Sequence, residues 1–410
     1  MKLSTFISLL LLTFSLVSQG QESSTFQLIK GRVVAEHHNE ALAQSNIYIK
    51  NSALGTVSNN DGEFLLKVPK ELSNGVLVVS HIGFKPFEKP LAEIDDSFFE
   101  VKLTISSIVL NDIEIRDVEN ILIAALASKE RNYPKDARLM TSFYRETIKK
   151  NHKYVDVSQG IINISKSSYS NQKNDDLHIV KGSRSKHYRN DDTLALKIMG
   201  GPSVMLLLDI VKNPGMVLNR SLLANYNYTL RGVSELDGRR SYTIKFSPKE
   251  LYDQPLYSGT IYIDESTFAI SGLEFGYDED NLALASQFMV RRQPASVRVY
   301  PQDIWFEVKY REINGVWYLD YVRNEIKVKC NWKRKLFNSN FYAVSEMVVT
   351  DKNGGEISRM DKKNASTMND IFSDKVQGFI DPNFWENYSI IEPEDDLRKA
   401  LTKIEQKNSR

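Results

Sequence analysis

The chain has 410 residues, in which 53 lysines and arginines nearly balance 52 aspartates and glutamates, for a formal net charge of +1. Because the acids and bases are mixed along the chain, no strongly basic face is implied, which argues against nucleic acid as a partner. Tyr and Phe number 19 each against 12 prolines. Together with frequent alternation of β-branched and polar residues, this composition predicts a mainly β protein.

Residues 1–20 have the pattern of a secretory signal peptide. Lys2 is followed by an apolar run over residues 3–17, and small residues then offer a cleavage site before Gln21. The run is shorter than the ~20 residues that a membrane-spanning helix needs. We therefore expect an exported protein, periplasmic, outer-membrane associated or extracellular, with no transmembrane helix after signal removal and at most peripheral membrane association.

The single cysteine, Cys330, limits how the exported chain is modified. A lipid-anchored bacterial protein needs a cysteine directly after the cleavage site, so we do not expect a lipoprotein. A lone cysteine also excludes an intramolecular disulfide. Cys330 lies in the alternating pattern of residues 326–332, which favours a buried small hydrophobic residue over a catalytic thiol.

Residues 27–105 show the clearest pattern in the chain, that of a small β-sandwich. Short apolar strands alternate with polar turns, and Asp61-Gly62 supplies the positive φ of a tight hairpin. Residues 76–80 are almost continuously apolar, as expected of a strand that is buried on both faces. The segment is therefore predicted to fold as a separate module.

This module resembles the carboxypeptidase regulatory-like domain, a prealbumin-like sandwich of seven strands. The resemblance rests on residues 31–34, 43–49, 55–64 and 79–84. Domains of that family accompany metallocarboxypeptidases and stand at the N-terminus of many TonB-dependent transporters and envelope proteins of Gram-negative bacteria. They carry no catalysis themselves, so the resemblance implies an accessory module of an exported protein.

The histidines do not support the zinc chemistry of carboxypeptidases, which needs a His and a Glu three residues apart, a distant second His and a glutamate base. His37 and Glu40 satisfy the first spacing, but they lie in a polar turn between the first two predicted strands. No His-Glu-x-x-His or Gly-x-Ser-x-Gly motif occurs. We predict that the protein is not an enzyme and has no metal or cofactor; a zinc carboxypeptidase-type hydrolase is the least favoured alternative.

A second, larger β domain is predicted after a connecting helix at residues 117–133. Residues 138–350 form a ladder of predicted strands with short turns, of which Asn314-Gly315 is the strongest hairpin signal. The ladder predicts a large curved antiparallel sheet with a few helices, one face packed and one wet. Residues 278–281 lack the ligand spacing of a calcium loop and are predicted to be an acidic hairpin tip.

A short apolar helix is predicted at residues 204–211. One interpretation is a helix that plugs one face of the sheet, and the other is a lid over an apolar cavity. In the second interpretation, the residues that line the cavity are Met199, Val204, Leu207, Leu208 and Val211.

Two further resemblances concern the second domain. Residues 259–270 are similar to strands of periplasmic lipoprotein carriers, whose sheets form curved half-barrels. Residues 143–146, 256–264 and 384–391 resemble a group of Gram-negative envelope proteins that couple the regulatory-like domain to such a sheet. That group has no assigned reaction, so the resemblance implies location and architecture.

Residues 351–410 are predicted to be a tail. Its aromatic residues Phe384, Trp385 and Tyr388 are expected to pack back onto the sheet, because exposed aromatic side chains would be costly. A charged helix follows at residues 394–407, with acidic residues at its start and lysine at its end.

These patterns predict an exported, non-catalytic envelope protein that acts in binding or assembly. Its partner would be another envelope protein, a glycan or a lipid. The alternative is a periplasmic carrier that holds a lipid or acylated ligand in an apolar cavity under residues 204–211. A cavity of ligand size would favour the carrier, and an interior filled with side chains would contradict it.

Overall fold

The computed structural model describes residues 26–95, 97–106, 118–186, 201–289, 297–333, 338–352, 364–376, 385 and 388–408. The predicted signal peptide, the candidate cavity residue Met199 and the tail residue Phe384 lie outside these ranges. The described chain is mainly β, as the composition predicts.

The N-terminal part is a β-sandwich of seven strands. The strands are β1 (Phe26–Ala35), β2 (Asn46–Ile49), β3 (Gly55–Val57), β4 (Glu63–Pro69), β5 (Val76–Ser80), β6 (Phe87–Pro90) and β7 (Phe99–Leu103). One sheet has the order β4-β1-β7 and the other β3-β2-β5-β6. Apolar side chains from both sheets, among them Ile29, Phe64 and Val79, share one core, which confirms the predicted sandwich.

The turn before β4 follows from its sequence. The Asn59 side-chain oxygen accepts hydrogen bonds from the backbone N–H groups of Asp61 and Glu63, at 2.9 and 2.8 Å. Gly62 has a φ of +79°, a conformation that glycine adopts without the steric cost of a Cβ. Side-chain hydrogen bonding and glycine together make this hairpin locally determined.

The second part is an 11-stranded sheet. Its strands are β8 (Arg138–Lys150), β9 (Lys153–Lys166), β10 (Asp176–Lys186), β11 (Tyr226–Leu236), β12 (Arg239–Pro248), β13 (Ser258–Asp264), β14 (Ile270–Gly276), β15 (Val297–Ile313), β16 (Val316–Trp332), β17 (Ser339–Asp351) and β18 (Ala365–Ser366). The order is β11-β12-β13-β14-β15-β16-β17-β8-β9-β10-β18, and neighbouring strands are antiparallel. The β15–β16 hairpin turns at Asn314 and Gly315, which both have positive φ.

Helices cover parts of this sheet. They are α1 (Val118–Ala127), α2 (Lys129–Asn132), α3 (Pro202–Leu207), α4 (Glu279–Met289), α5 (Phe372–Lys375) and α6 (Asp395–Asn408), with 3-10 turns at Lys70–Leu72, Leu91–Glu93, Pro214–Met216 and Leu223–Asn225. None of the helices in the described ranges is long and apolar enough to cross a membrane.

Helix α4 corrects the prediction of an acidic hairpin tip at residues 278–281. The Asp278 carboxylate accepts a hydrogen bond from the backbone N–H of Asn281 at 2.9 Å, so it caps the start of the helix. Glu279 and Asp280 then occupy the first turn, where negative charge is favourable. Acidic residues suit both structures, and the hydrogen bond of Asp278 shows which one forms.

The centre of the large sheet is covered on both faces, which corrects the expectation of one wet face. Tyr144, Val322 and Met347 point to the side that packs against the helices. Their neighbours in the same strands point to the other side, where the sandwich and the tail cover them. That second cluster consists of Phe143, Ile161, Tyr321 and Val348 of the sheet, Val57 of β3, and Ile390 and Ile391 of the tail.

Candidate ligand-binding site

A cavity of about 340 Å³ lies between α1, the segment that follows α3, and the start of β14. Its volume falls within the ~300–1,000 Å³ range of small-molecule sites in proteins. Aliphatic side chains supply most of its wall, namely Ile123, Ala125, Leu126, Ile210, Val211, Leu218 and Ile270. The described structure therefore contains a partly open space of ligand size beside α1, whereas the core between the helices and the sheet is filled with side chains.

Helix α1 contributes to the cavity with residues of its second half, Ile123, Ala125, Leu126 and Ala127. Val118, Ile121, Leu122 and Ala125 are buried at helical spacing. Ile123 lies outside this row and is 36% exposed, yet it lines the cavity. An exposed isoleucine beside an apolar space is a surface that a ligand can cover.

The end of α1 is held to the β13–β14 hairpin by side-chain hydrogen bonds. Ser128 donates to the carbonyl oxygen of Phe268 at 2.9 Å, and Asn132 donates to Ser128 at 2.9 Å. The Tyr133 hydroxyl, in the cavity wall, donates to the carbonyl oxygen of Ile270 at 2.7 Å. These bonds satisfy buried polar groups and hold this wall in one position.

The opposite wall is anchored by Asp209, a buried residue directly before Ile210. Its carboxylate accepts hydrogen bonds from the hydroxyls of Tyr169 and Tyr310, both at 2.7 Å, and pairs with the Lys166 ammonium at 2.6 Å. Burial alone would raise the pKa of Asp209, but Lys166 and the hydroxyl donors lower it below its usual value. Asp209 is thus ionised and fully paired, and it holds the wall segment in place.

Two cations, Lys129 and Arg220, also line the cavity. Neither has an ion-pair or side-chain hydrogen-bond partner in the described part of the chain. Burial lowers the pKa of Lys129, and the Asp209 carboxylate opposes that shift. The cavity therefore combines an apolar wall with positive charge at its edge.

A second groove of about 470 Å³ lies between the first turns of α1 and the start of β11, and Ile123 and Arg220 line both spaces. Its lining is more polar than that of the cavity. The other residues that line it are Val118, Glu119, Leu122, Leu223, Ala224, Tyr226, Asn227, Tyr228 and Lys249.

The residues predicted to line a cavity lie in different environments. Val211 lines the cavity beside α1. Leu208 is buried in the core at 2% exposure, Val204 is partly buried, and Leu207 is 38% exposed. Met199 lies outside the described residues, and the role of these five residues in ligand binding stays a prediction.

Sequence reasoning missed the contribution of α1, which it treated only as a connection. The available signal is the breadth of its apolar surface, since Ile123 and Leu126 extend it beyond the row that packs on the sheet. A helix that is apolar on more than one side is either deeply buried or in contact with something else.

The residues considered for zinc or thiol chemistry lie apart. His37 and Glu40 are exposed in the turn after β1, and Cys330 is buried in β16, where burial raises the pKa of its thiol to about 11. In the ranges that the structure describes, no three His, Cys, Asp or Glu side chains are grouped so that they could hold a metal ion. The fold and site together define a β-sandwich joined to a large antiparallel sheet, with a mainly apolar cavity of ligand size beside α1.

Two family models match the chain. Residues 29–113 match the CarboxypepD_reg-like domain, so the β-sandwich is a domain of this family, as the sequence resemblance implied. Residues 215–327 match a family of unknown function, DUF5686. The second match includes four residues that line the cavity, Leu218, Asn219, Arg220 and Ile270.

A search of the curated proteins found no match to this chain. Among solved structures, a DUF1329 family protein from Desulfovibrio piger is similar at 12% identity and a TM-score of 0.26, over 58% of this chain and 95% of that one. A LolA superfamily protein from Nitrosomonas europaea is similar at 11% identity and a TM-score of 0.22, over 57% and 93%. MucB in complex with MucA(peri) is similar at 13% identity and a TM-score of 0.20, over 58% and 99%. TM-scores this low support no statement about function.

Proposed function

We propose that this protein is a non-catalytic binding protein of the bacterial cell envelope that holds an apolar chain in the cavity beside α1. The observation that supports this proposal is the cavity itself, with a volume of about 340 Å³ and a mainly aliphatic wall. Hydrogen bonds hold both of its sides in place. A preformed apolar site gains hydrophobic burial on binding and loses little conformational freedom.

The envelope location rests on the signal-peptide pattern of residues 1–20. In this proposal residues 27–105 are an accessory module, residues 117–133 and 138–350 hold the ligand, and residues 351–410 join the two parts. The sequence allows a lipid, a glycan or a second envelope protein as the partner. An aliphatic wall favours a lipid or an acylated molecule among these.

Ligand binding can be tested with a substitution at the edge of the cavity. Ala127 is exposed on α1 and lines the cavity, so Ala127→Trp would occupy the space without disturbing the core. We expect the wild-type protein to bind a fluorescent fatty acid at one site, and Ala127→Trp to weaken that affinity about tenfold, by loss of apolar burial. Fluorescence titration and native mass spectrometry measure both quantities.

The matched control is Ala283→Trp, which changes an exposed alanine of α4 away from the residues that line the cavity. Its affinity should equal that of the wild type. The proposal is wrong if no apolar ligand binds, or if all three proteins bind it equally well.

A further inference from the structure

We infer that the groove beside the first turns of α1 binds a phosphate-bearing head group attached to the apolar chain in the cavity. The inference rests on the proposed function and specifies its ligand as an anionic amphiphile. Three features of the groove support it: an unpaired hydroxyl, a surplus of positive charge, and two lining residues that it shares with the cavity.

The hydroxyl belongs to Tyr228. Its oxygen is buried and has no hydrogen-bond partner in the described part of the chain, and the residue lines the groove. A buried hydroxyl without a partner costs about 1–3 kcal/mol, so such groups are rare in folded proteins. Burial raises the pKa of Tyr228 well above its usual value, so the hydroxyl stays protonated and can donate to an acceptor oxygen.

The charge comes from Arg220 and Lys249. Neither has an ion-pair or side-chain hydrogen-bond partner among the described residues. The groove contains one carboxylate, that of Glu119, so two cations against one anion leave a net charge of +1. Two cations and a hydroxyl donor complement an oxyanion, and they select against neutral or cationic head groups.

The backbone holds Lys249 near this groove. Its N–H donates to the carbonyl oxygen of Asn225 at 2.9 Å, and Asn225 closes the 3-10 turn that leads into β11. Lys249 therefore directly follows the end of β12, next to the start of β11 where Tyr228 lies. In the proposed complex, the head group lies between these two residues.

The groove adjoins the cavity. Ile123 and Arg220 line both spaces, so the proposed ligand would extend from one space to the other along these two residues. Its chain would then lie against the aliphatic wall and its head group beside Arg220, Lys249 and Tyr228. Free phosphate would bind only in the groove.

The experiment compares dodecyl phosphate, dodecanol and inorganic phosphate as ligands of the full mature protein, by calorimetric titration at concentrations below micelle formation. We expect dodecyl phosphate to bind about tenfold or more tightly than dodecanol, because charge-assisted hydrogen bonds add to apolar burial. Tyr228→Phe and Lys249→Gln should each reduce this ratio several-fold and leave dodecanol binding unchanged. Lys245→Gln, at an exposed lysine of β12 that lines neither space, should retain the full ratio.

Three results would overturn the inference, and they differ in what else they affect. Binding of neither dodecyl compound overturns the proposed function as well. If dodecyl phosphate and dodecanol bind equally tightly and Ala127→Trp weakens both, the cavity binds the apolar chain but the groove does not bind the head group. Inorganic phosphate that binds as tightly as dodecyl phosphate, and is unaffected by Ala127→Trp, would assign the groove to free phosphate.

Discussion

Arg311 of β15 is a charged side chain buried between the two parts of the chain, at 1% exposure. Its guanidinium pairs with Asp320 at 3.1 Å and donates to the carbonyl oxygens of Ser52 and Ala53, both at 3.2 Å. Lys352 pairs with the same carboxylate. The planar guanidinium presents its N–H donors in a fixed fork, which lets it satisfy a carboxylate and two carbonyl groups at once.

Replacing Arg311 with methionine should lower the free energy of unfolding by about 3 kcal/mol, because two sandwich carbonyls and part of the Asp320 charge lose their partner. Urea denaturation measures the change. The control is Arg240→Met, whose ion pair with Glu265 is largely exposed and should be worth less than about 1 kcal/mol. Equal losses in the two variants would show that Arg311 does not join the two parts.

His81 makes the same boundary sensitive to acid. Its Nδ1 atom lies 3.2 Å from the Ser45 hydroxyl. Burial and the nearby Lys309 ammonium lower the pKa of His81 from 6.5 to about 3. Between these two values the unfolded chain binds a proton that the folded chain does not, so His81 lowers stability as the pH falls through this window.

The variant His81→Gln isolates this effect. As the pH falls from about 7 to about 5, the free energy of unfolding of the wild type should fall by about 1–2 kcal/mol relative to that of His81→Gln. Denaturant titrations at several pH values measure it. His38→Gln, at an exposed turn residue, is the control. A difference that stays constant with pH would contradict the proposed role of His81.

At the scale of elements, the tip of the β11–β12 hairpin docks onto the sandwich. The carboxylate of Asp237, a partly buried residue at the tip, accepts hydrogen bonds from the Ser80 hydroxyl and from the Asn46 amide at 3.1 Å. Burial raises the pKa of Asp237, although both donors oppose the shift. The backbone N–H of Gly83 adds a 2.8 Å hydrogen bond to the carbonyl oxygen of Glu235. The hairpin is therefore a structural connection as well as part of the sheet.

The tail makes a second connection. The Thr56 hydroxyl donates to the carbonyl oxygen of Ile390 at 3.0 Å, and the backbone N–H of Asp395 donates to the Asp61 carboxylate at 2.9 Å. The Trp385 ring packs edge-on against Phe143 of β8, with 5.5 Å between ring centroids. The prediction that the aromatic tail packs onto the sheet is confirmed for Trp385 and Tyr388, which both pack against the cluster that contains Phe143.

At the scale of the whole molecule, these contacts join the sandwich, the large sheet and the tail through a shared apolar cluster. Val57 of β3 belongs to this cluster and not to the core of the sandwich itself. Because the cluster needs residues from all three parts, separating them would expose apolar surface on each. We therefore expect the wild-type protein to unfold in a single transition.

Val57→Asp should reduce the cooperativity of unfolding. A buried charge without a partner would separate the parts while leaving the core of the sandwich intact. Differential scanning calorimetry should show two transitions, or one transition lowered by several degrees. The control is Val76→Asp, at the partly exposed first residue of β5, which should keep a single transition. A single, unshifted transition in Val57→Asp would contradict the shared cluster.

The sequence by itself determined the features that depend on neighbouring residues. Most strands of the sandwich follow from short-range alternation and turn chemistry, and the resemblance to the regulatory-like domain implied that there are seven. The turns at Gly62 and Gly315 follow from the positive φ that glycine tolerates. The same local signals predicted the strand ladder of the second part. They were ambiguous at Asp278, because acidic residues suit both a hairpin tip and a helix start.

Only the tertiary structure decided where the cavity lies and that the centre of the sheet is covered on both faces. The cavity is built from Ile123, Val211 and Ile270, which are far apart in the sequence and carry no shared pattern. Likewise, Phe143, Tyr321 and Val348 of the sheet are buried because the sandwich and the tail pack on them. Local periodicity determines which face of a strand is apolar, whereas the element that covers this face is set by long-range packing.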